Sequence, residues 1–433
     1  MPKHPAVACA ACAAVVLLMV AGCAGGGEGG AADGDLSGQT IEVAAVWSDQ
    51  EQVAFEKVLD AFERKTGATV TYTSAGDELP TVLATRLAGG APPDVAVIAQ
   101  PNLVKTLAKE GALVPLSQET ARLVEADFAP SWRDLGTYDG RLYGVAFKAA
   151  NKSIMWYDAD TLGPDFRPPL QWDDFVDVLR NRADVGETPL AVGGADGWTL
   201  TDWFENVYLQ TAGPQMYDDL AAHRIPWTHP SVRTALQKLN EVLRPEFIPG
   251  GIASALQTEF TGSVVKVFGD RPSAAFVYEA DFVAAAINKS TSAVVGEDAK
   301  LFPFPQIGDQ DSVVGGGDTA VVFSNKPAAS ALVEFLASAE AASVWVEQGG
   351  FISPNEQVQL SDYPDAISRS IAEELKGART LRFDMSDLMP TALGGTKGDG
   401  FWKAMQDHLA DPAAVDEILA ALEAKAATVY AAG

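Results

Sequence analysis

The first part of the chain contains an apolar run with little alternation, residues 41–47 (IEVAAVW), which is typical of a strand covered on both faces. Residues 69–73 and 94–99 are predicted as the second and third strands. Apolar positions at helical spacing separate the first two strands, and residues 79–88 predict a second helix before the third. Because strands alternate with helices, we expect an α/β fold in which a parallel sheet carries helices on both faces.

The first predicted helix has recognisable ends. Ser48 and Glu51 have the spacing of a capping box, and Gly67 supplies a stop. Its apolar face consists of Phe55, Val58, Leu59 and Phe62. The polar residues near the ends of the predicted strands are candidates for ligand contact, since open α/β sheets bind ligands beyond the carboxyl ends of their strands.

A tight turn and a polar break organise the middle of the chain. Asp139-Gly140 predicts the turn, and residues 141–147 and 153–157 predict strands on either side of the break. Residues 313–324 predict a strand interrupted by three glycines and Asp318. The tail predicts helices at residues 327–336, 339–348, 366–376 and 413–428.

Composition narrows the class of protein. The chain has 433 residues, of which 47% are hydrophobic and 21% charged, so it can bury a large core and favours two or more lobes. Its formal net charge of −27 repels phosphate backbones, and we expect no nucleic acid partner.

The N-terminus has the pattern of an exported protein. Residues 1–22 predict a signal peptide, and the sequence V-A-G-C that ends at Cys23 resembles a bacterial lipobox, which implies that Cys23 becomes lipid-modified. An ordinary signal peptide is the alternative. Residues 23–35 predict a flexible tether. Since the other two cysteines, Cys9 and Cys12, leave with the signal peptide, no disulfide or catalytic cysteine is expected.

Several kinds of catalytic chemistry have no motif in this chain. The four histidines, His4, His223, His229 and His408, lack metal-ligand spacing, so no metal is expected. Neither a G-x-S-x-G elbow nor a phosphate-binding G-x-x-x-x-G-K-[ST] loop is present. A pair of carboxylates that hydrolyses glycosides remains open among the 58 acidic residues.

Short motifs from residue 40 to the C-terminus together resemble one family. The strand that ends in Trp47 is one of them, and four more follow in order: Pro93-Asp94-Val95, Gln171-Trp172-Asp173-Asp174-Phe175, Phe268-Gly269-Asp270 through Phe276, and Phe351-Ile352-Ser353-Pro354-Asn355. They resemble those of the extracellular solute-binding proteins of carbohydrate ABC transporters. Residues 382–390 and 400–402 are similar to a segment of the α-glucoside-binding members.

The resemblance implies a two-lobed periplasmic-binding-protein-like (type II) fold with a hinge. One lobe would contain residues 36–147 and 306–349, and the other residues 148–305 and 350–433. It further implies a monomeric receptor, lipid-anchored at the outer face of the cell membrane, that captures a carbohydrate and delivers it to an ABC permease. Neither a cofactor nor enzymatic activity is implied.

A sugar site needs an aromatic platform surrounded by planar polar groups. Strand ends, the glycine-rich interruption and the resemblance together nominate eleven residues as ligand contacts: Trp47, Asp49, Glu78, Gln100, Asn151, Trp198, Tyr278, Glu279, Gly316, Gly317 and Asp318. A core position is equally expected for Trp47. The resemblance also places Lys148 and Trp156 at or near the cleft, whereas Trp172 and Trp402 are expected in the core.

Two other functions remain open from the sequence. One is an exported glycoside hydrolase or lyase, which would cleave the bound oligosaccharide. The other is a receptor of the same fold whose ligand is a peptide, a polyamine or a metal complex instead of a sugar.

Overall fold

A computed structural model describes residues 35–309 and 311–432 of the chain. The predicted signal peptide, Cys23 and nearly all of the tether lie outside the described residues. Twelve strands are present in the described part: β1 (Thr40–Ala45), β2 (Thr69–Ser74), β3 (Val95–Ile98), β4 (Thr137–Tyr138), β5 (Arg141–Leu142), β6 (Gly144–Asn151), β7 (Ile154–Asp158), β8 (Leu190–Ala191), β9 (Phe276–Tyr278), β10 (Ala299–Pro303), β11 (Ser312–Val322) and β12 (Thr380–Phe383).

Helices account for most of the remaining regular structure. The first ten in the described part are α1 (Asp49–Thr66), α2 (Leu79–Ala88), α3 (Pro101–Lys109), α4 (Gln118–Asp127), α5 (Pro130–Leu135), α6 (Ala159–Leu162), α7 (Trp172–Asp184), α8 (Trp198–Ala212), α9 (Pro214–Ala221) and α10 (Pro230–Leu239). The next ten are α11 (Gly251–Ala255), α12 (Phe260–Phe268), α13 (Val283–Ser290), α14 (Pro327–Leu336), α15 (Ala339–Val346), α16 (Ala366–Gly377), α17 (Met385–Leu388), α18 (Thr391–Gly394), α19 (Gly400–Ala410) and α20 (Val415–Ala432).

The first sheet has six strands in the order β12-β11-β3-β1-β2, with β6 also paired to β11. The strands β1, β2 and β3 are parallel, as the sequence predicts. The sheet is not parallel throughout, because the long strand β11, which the sequence does not assign to this sheet, runs antiparallel to β3 and β6. Strand β11 begins more than 150 residues after the end of β6. The chain therefore leaves the first sheet after β6 and returns to it with β11.

Helix α1 shows which end signals the chain uses. Its predicted apolar face is buried, and Gly67 ends it with φ of 75° and an N–H bonded to Glu63 O. The predicted capping box does not form, although Ser48 is the N-cap residue, because its side chain makes no capping bond. The Glu51 carboxylate instead accepts a bond from Lys148, so an ionic contact replaces the local cap.

The middle of the chain passes from the first sheet to the second. Asp139 and Gly140 have φ values of 47° and 70° and turn the chain between β4 and β5. Strand β6 then pairs with β11, whereas β7 joins a four-stranded sheet of order β10-β7-β9-β8. The polar break between these two strands therefore marks the passage from one sheet to the other, while the lobe boundaries stay a prediction.

A second core packs around α8, which is buried on every side from Thr199 to Gln210. The predicted core residue Trp172 lies in this cluster with 1% of its surface exposed. Helix α8 also carries buried polar groups, among them Asp202 and Glu205. Buried charges need partners, and these partners define one side of the candidate site.

Candidate functional site

A cleft of about 460 Å³ lies between the first sheet and the helices α8, α12 and α13. On one side are Trp47, the start of α1 and the β11 residues Gly317 and Asp318; on the other are the ends of α8, α12 and α13. The crossing strand β6 contributes Lys148 and Ala150. The volume of the cleft is within the range of sites that enclose small-molecule ligands.

One wall of the cleft is aromatic. Trp198 and Phe260 are the first residues of α8 and α12, and Phe282 is the N-cap residue of α13. Their ring centroids lie 5.5 Å (Trp198 to Phe260), 5.9 Å (Trp198 to Phe282) and 5.4 Å (Phe260 to Phe282) apart. All three rings are partly exposed and border the cleft, so they offer an apolar surface on which a sugar ring can stack.

Trp47 belongs to both the core and the cleft. Its ring packs edge-on against Phe55 and Trp345, with centroids 4.8 and 4.7 Å away, and only 3% of its surface is exposed. Its Nε1 donates to Asp318 Oδ2 at 3.2 Å. The indole therefore fixes the orientation of the Asp318 carboxylate at the cleft surface.

Two glycines of β11, Gly316 and Gly317, lie so close to neighbouring atoms that a Cβ would not fit unless those atoms moved. A Cβ on Gly317 would lie 2.4 Å from Lys148 O, and one on Gly316 would lie 2.9 Å from Lys152 Cε. The register of β11 against β6 shifts between Asp318 and Thr319. This bulge, together with the missing side chains, lets β6 pass close to β11 while Asp318 turns into the cleft.

Lys148 is a buried cation surrounded by carboxylates. Its ammonium bonds Glu51, and only 3% of its side chain is exposed. Burial opposes its charge, but Glu51, Asp281 and Asp318 outweigh burial and raise the pKa of Lys148. Burial raises the pKa of Asp318 to about 6, against the pull of Lys148.

A second buried lysine lies at the floor of the cleft. Lys152 bonds Asp384 and lies 3.1 Å from Asp202 Oδ2. Asp384 also accepts bonds from Ser386 Oγ (2.7 Å) and Asp387 N (3.0 Å). Burial acts against the charge of Asp384, but Lys152 and these donors hold its pKa down at about 2, whereas burial raises the pKa of Asp202 to about 8.

The floor is tied to helix α8 through Glu205. This carboxylate accepts bonds from Met385 N (2.7 Å), Ser386 N (3.0 Å) and the Tyr217 hydroxyl (3.0 Å). Oxygens of Asp202, Glu205 and Asp384 lie within 4.8 Å of one another, a spacing that a metal ion could bridge. The ammonium of Lys152 already contacts two of the three, so the chain supplies its own cation there.

The structure brings five of the predicted ligand contacts to the cleft: Trp47, Asp49, Trp198, Gly317 and Asp318. Trp402, expected in the core, is 5% exposed and also borders the cleft. Trp156, expected at or near the cleft, instead lies in the core, where its Nε1 donates to Ala280 O at 3.0 Å. That bond ties the Trp156 ring to the segment that follows β9.

The other six predicted contacts do not border the cleft. Glu78 is exposed at the start of α2, next to the cleft residues Gly76 and Asp77, and Gln100 is buried at the start of α3. Asn151 is fully buried and accepts a bond from Ser153 N. Gly316 provides clearance for Lys152.

Tyr278 and Glu279 lie beneath the floor. The Tyr278 hydroxyl donates to Lys152 O at 2.8 Å, and Glu279 is 1% exposed. Burial raises the pKa of Glu279, and the charge of Asp202 raises it further. Both residues therefore support the lysine that faces the cleft.

The fold and cleft are those of a binding receptor, and comparisons with known proteins assign the family. Residues 48–343 match the family of bacterial extracellular solute-binding proteins, and the chain belongs to that family. The osmoprotective compounds-binding protein GgtB of Synechocystis sp. is 33% identical over 393 residues, which cover 88% of this chain and 91% of that protein. The alpha-glucosides-binding periplasmic protein AglE of Rhizobium meliloti is 32% identical over 400 residues, 88% of this chain and 86% of that protein.

Solved structures give the same fold. The bacterial solute receptor AcbH, described as having an exclusive preference for β-D-galactopyranose, superimposes with a TM-score of 0.80 at 18% identity, covering 92% of this chain and 100% of that one. A chitin oligosaccharide binding protein gives a TM-score of 0.79 at 19% identity, covering 90% and 99%. The predicted two-lobed fold is confirmed.

Among the described residues, no single helix is long and apolar enough to cross a membrane. One pair, Pro327–Leu336 with Ala339–Val346, meets the length and composition only when taken together across a 66° bend.

Proposed function

We propose that this protein is an extracytoplasmic receptor that binds a neutral glycoside reversibly and delivers it to an ABC permease. The observation that carries the proposal is the aromatic wall of Trp198, Phe260 and Phe282 within a cleft that is also lined by carboxylates. An apolar ring face stacks on the aromatic wall, while hydroxyls donate to the carboxylates. AglE is named for binding alpha-glucosides, which supports small glycosides as the ligand.

Transport rather than catalysis is the role that the relatives support, since GgtB and AglE are named as binding proteins. A glycosidase needs one free carboxylic acid and one free carboxylate on either side of the scissile bond. Asp384 at the floor is already engaged by Lys152 and Ser386, while other carboxylates of the cleft form no ion pair among the described residues and can accept hydrogen bonds from a sugar. The names of the relatives therefore carry this proposal: the bound glycoside leaves unchanged.

The anchor and the assembly are proposed from the sequence. Lipid modification of Cys23 and the tether that follows it would hold a monomeric receptor near its permease at the outer face of the membrane. A Cys23→Ala variant expressed in a bacterial host tests the anchor: the variant is expected in the soluble fraction and the parent protein with membranes. Membrane association of both would contradict the anchor.

The function is tested by titration calorimetry and thermal unfolding of residues 24–433 with neutral mono-, di- and trisaccharides. A peptide and a polyamine serve as alternative cargoes, and each mixture is analysed for cleavage products. We expect a saccharide to bind and to raise the unfolding temperature, since a ligand that binds only the folded state stabilises it. If only the peptide or the polyamine binds, the protein is a receptor for another class of ligand. If cleavage products form, the protein is an enzyme.

A further inference from the structure

The side chains around the cleft carry a strong excess of negative charge. Eight carboxylates and three lysines border it, which is five formal negative charges in excess. The carboxylates are those of Asp49, Glu51, Asp77, Asp196, Glu259, Asp318, Asp384 and Asp387. A ligand that enters the cleft therefore meets a negative potential, which low-dielectric walls strengthen.

Each of the three lysines is already paired within the chain. Lys148 bonds Glu51, Lys152 bonds Asp384 and contacts Asp202, and Lys289 forms an ion pair with Asp49. An anionic ligand would have to compete with these carboxylates for its counter-charge. Helix N-termini attract anions as well, but the N-terminal amide of α12, Phe260 N, is already bonded to Asp196 at 2.7 Å.

Four of the carboxylates form no ion pair among the described residues: Asp77, Glu259, Asp318 and Asp387. Asp387 is the clearest of them. It is 7% exposed, borders the cleft, and its carboxylate oxygens have no hydrogen-bond donor in the described part of the chain. Burial and the nearby charge of Asp384 raise the pKa of Asp387, so its carboxyl group calls for a hydrogen-bond partner from the ligand rather than for a counter-ion.

We infer that the cleft selects its ligand by charge: it rejects anionic glycosides and accepts either neutral glycosides or glycosides in which an amino group replaces a hydroxyl. This inference rests on the proposed function, because it concerns the ligand of the same cleft. Hydroxyl and ammonium groups both donate hydrogen bonds to carboxylates, whereas phosphate and uronate groups bring like charge against them. Rejection by unpaired like charges is a form of specificity.

The experiment compares one sugar in three charge states. Trehalose, 6-amino-6-deoxytrehalose and trehalose 6-phosphate are titrated against residues 24–433 at low and at high salt, and glucose, glucosamine and glucose 6-phosphate are compared in the same way. Within the set whose neutral sugar binds, we expect the phosphate to bind more than about tenfold more weakly than the neutral sugar and the amine to bind at least as tightly. High salt should narrow the difference, since ions screen charge.

Substitutions separate the charge of the cleft from the charge of the whole protein. The double variant Asp77→Asn with Glu259→Gln removes two unpaired carboxylates and is expected to reduce the discrimination against the phosphate severalfold. The control, Asp174→Asn with Glu373→Gln, removes two exposed carboxylates that do not border the cleft. We expect this control to leave the discrimination against the phosphate unchanged.

The outcomes are distinct. Equal binding of the phosphate and the neutral sugar overturns the inference and leaves the proposed function standing. The inference is also overturned if neither high salt nor the cleft variant changes the discrimination against the phosphate. Exclusion of the phosphate would then be steric. Binding of none of the sugars overturns the proposed function itself.

Discussion

The Asp49 carboxylate forms an ion pair with the ammonium of Lys289 at the open edge of the cleft. Asp49 is the first residue of α1, which packs on the first sheet, and Lys289 lies in the last turn of α13 on the opposite side. Asp49 adopts a left-handed backbone conformation with φ of 58°. Aspartate is one of the few residues other than glycine that tolerate this conformation.

Breaking this pair should speed ligand release. Asn tolerates the left-handed conformation, so Asp49→Asn removes the charge without changing the backbone. Both partners are largely exposed, with 56% and 40% of their side chains accessible, and an exposed pair contributes roughly 0–1 kcal/mol. We expect the dissociation rate of a bound glycoside, measured by stopped-flow fluorescence, to rise by up to about fivefold. Asp177→Asn, which breaks the exposed pair with Arg180, is the control, and an equal effect would contradict the assignment.

Removing the Trp198 ring should weaken sugar binding more than it weakens folding. The ring is partly exposed at the cleft, and buried tryptophans at binding sites often contribute 2 kcal/mol or more. We expect Trp198→Ala to raise the Kd by more than about tenfold and Trp198→Phe by much less. Trp172→Phe, in the second core, should lower the unfolding free energy without changing the Kd. Calorimetry and urea unfolding distinguish the two, and unchanged affinity in Trp198→Ala would contradict the aromatic platform.

Gly317 should tolerate no side chain. In Gly317→Ala the new Cβ would meet Lys148 O, a backbone atom, at 2.4 Å, and such overpacking typically costs about 1–3 kcal/mol. We expect a lower unfolding free energy together with weaker binding, since β6 must move. At Gly377 the same change meets nothing within 4 Å, and Gly377→Ala should be neutral or stabilise the protein by up to about 1 kcal/mol. Similar results for both variants would contradict the close approach of β6 and β11.

The buried carboxylates predict an unusual dependence of stability on pH. Burial raises the pKa of Asp202 to about 8, of Glu374 to about 7, and of Asp281 and Asp318 to about 6. Their unfolded values lie near 4, so the folded state binds more protons between about pH 4 and pH 8. Their contribution to stability is fully present below about pH 4 and is lost as the pH rises through the folded values.

Asp384 acts in the opposite direction. Its pKa is held at about 2, so its contribution is present above its unfolded value and is lost as the pH falls from about 4 to about 2. We therefore expect the urea midpoint to be highest near pH 5 and to fall toward pH 8. Asp202→Asn cannot titrate and should flatten the slope between about pH 6 and 8. A midpoint that rises from pH 5 to 8 would contradict the raised pKa values.

The parts of the fold that sequence predicts well are those set by local patterns. The alternation of β1, α1 and β2, the Asp139-Gly140 turn and the passage from β6 to β7 depend on residues that are neighbours in the chain. The capping box failed because Glu51 has a stronger partner, Lys148, which is 97 residues away. A pattern of neighbouring residues in the sequence does not reveal that Lys148 binds Glu51 in place of the cap.

The site was predictable only in part, for a similar reason. A strand end points to Trp47 and the glycine-rich interruption to Asp318, and both residues border the cleft. Neither signal gives the direction of a side chain, and Gln100 is buried at its strand end. The aromatic wall combines the starts of three helices that are distant in sequence, and Phe260 and Phe282 carry no motif. The Lys152–Asp384 pair joins residues 232 positions apart.

The contacts of Glu205 also bear on how this chain folds. Its carboxylate receives the backbone N–H groups of Met385 and Ser386, which are 180 and 181 residues downstream. Until that segment arrives, the buried Glu205 lacks two of its three donors and keeps only the Tyr217 hydroxyl, so its surroundings cannot close. Non-local closure of this kind is slow. The second core should thus be the last part to fold during synthesis, and a chain truncated before Asp384 should expose α8 and be readily degraded by proteases.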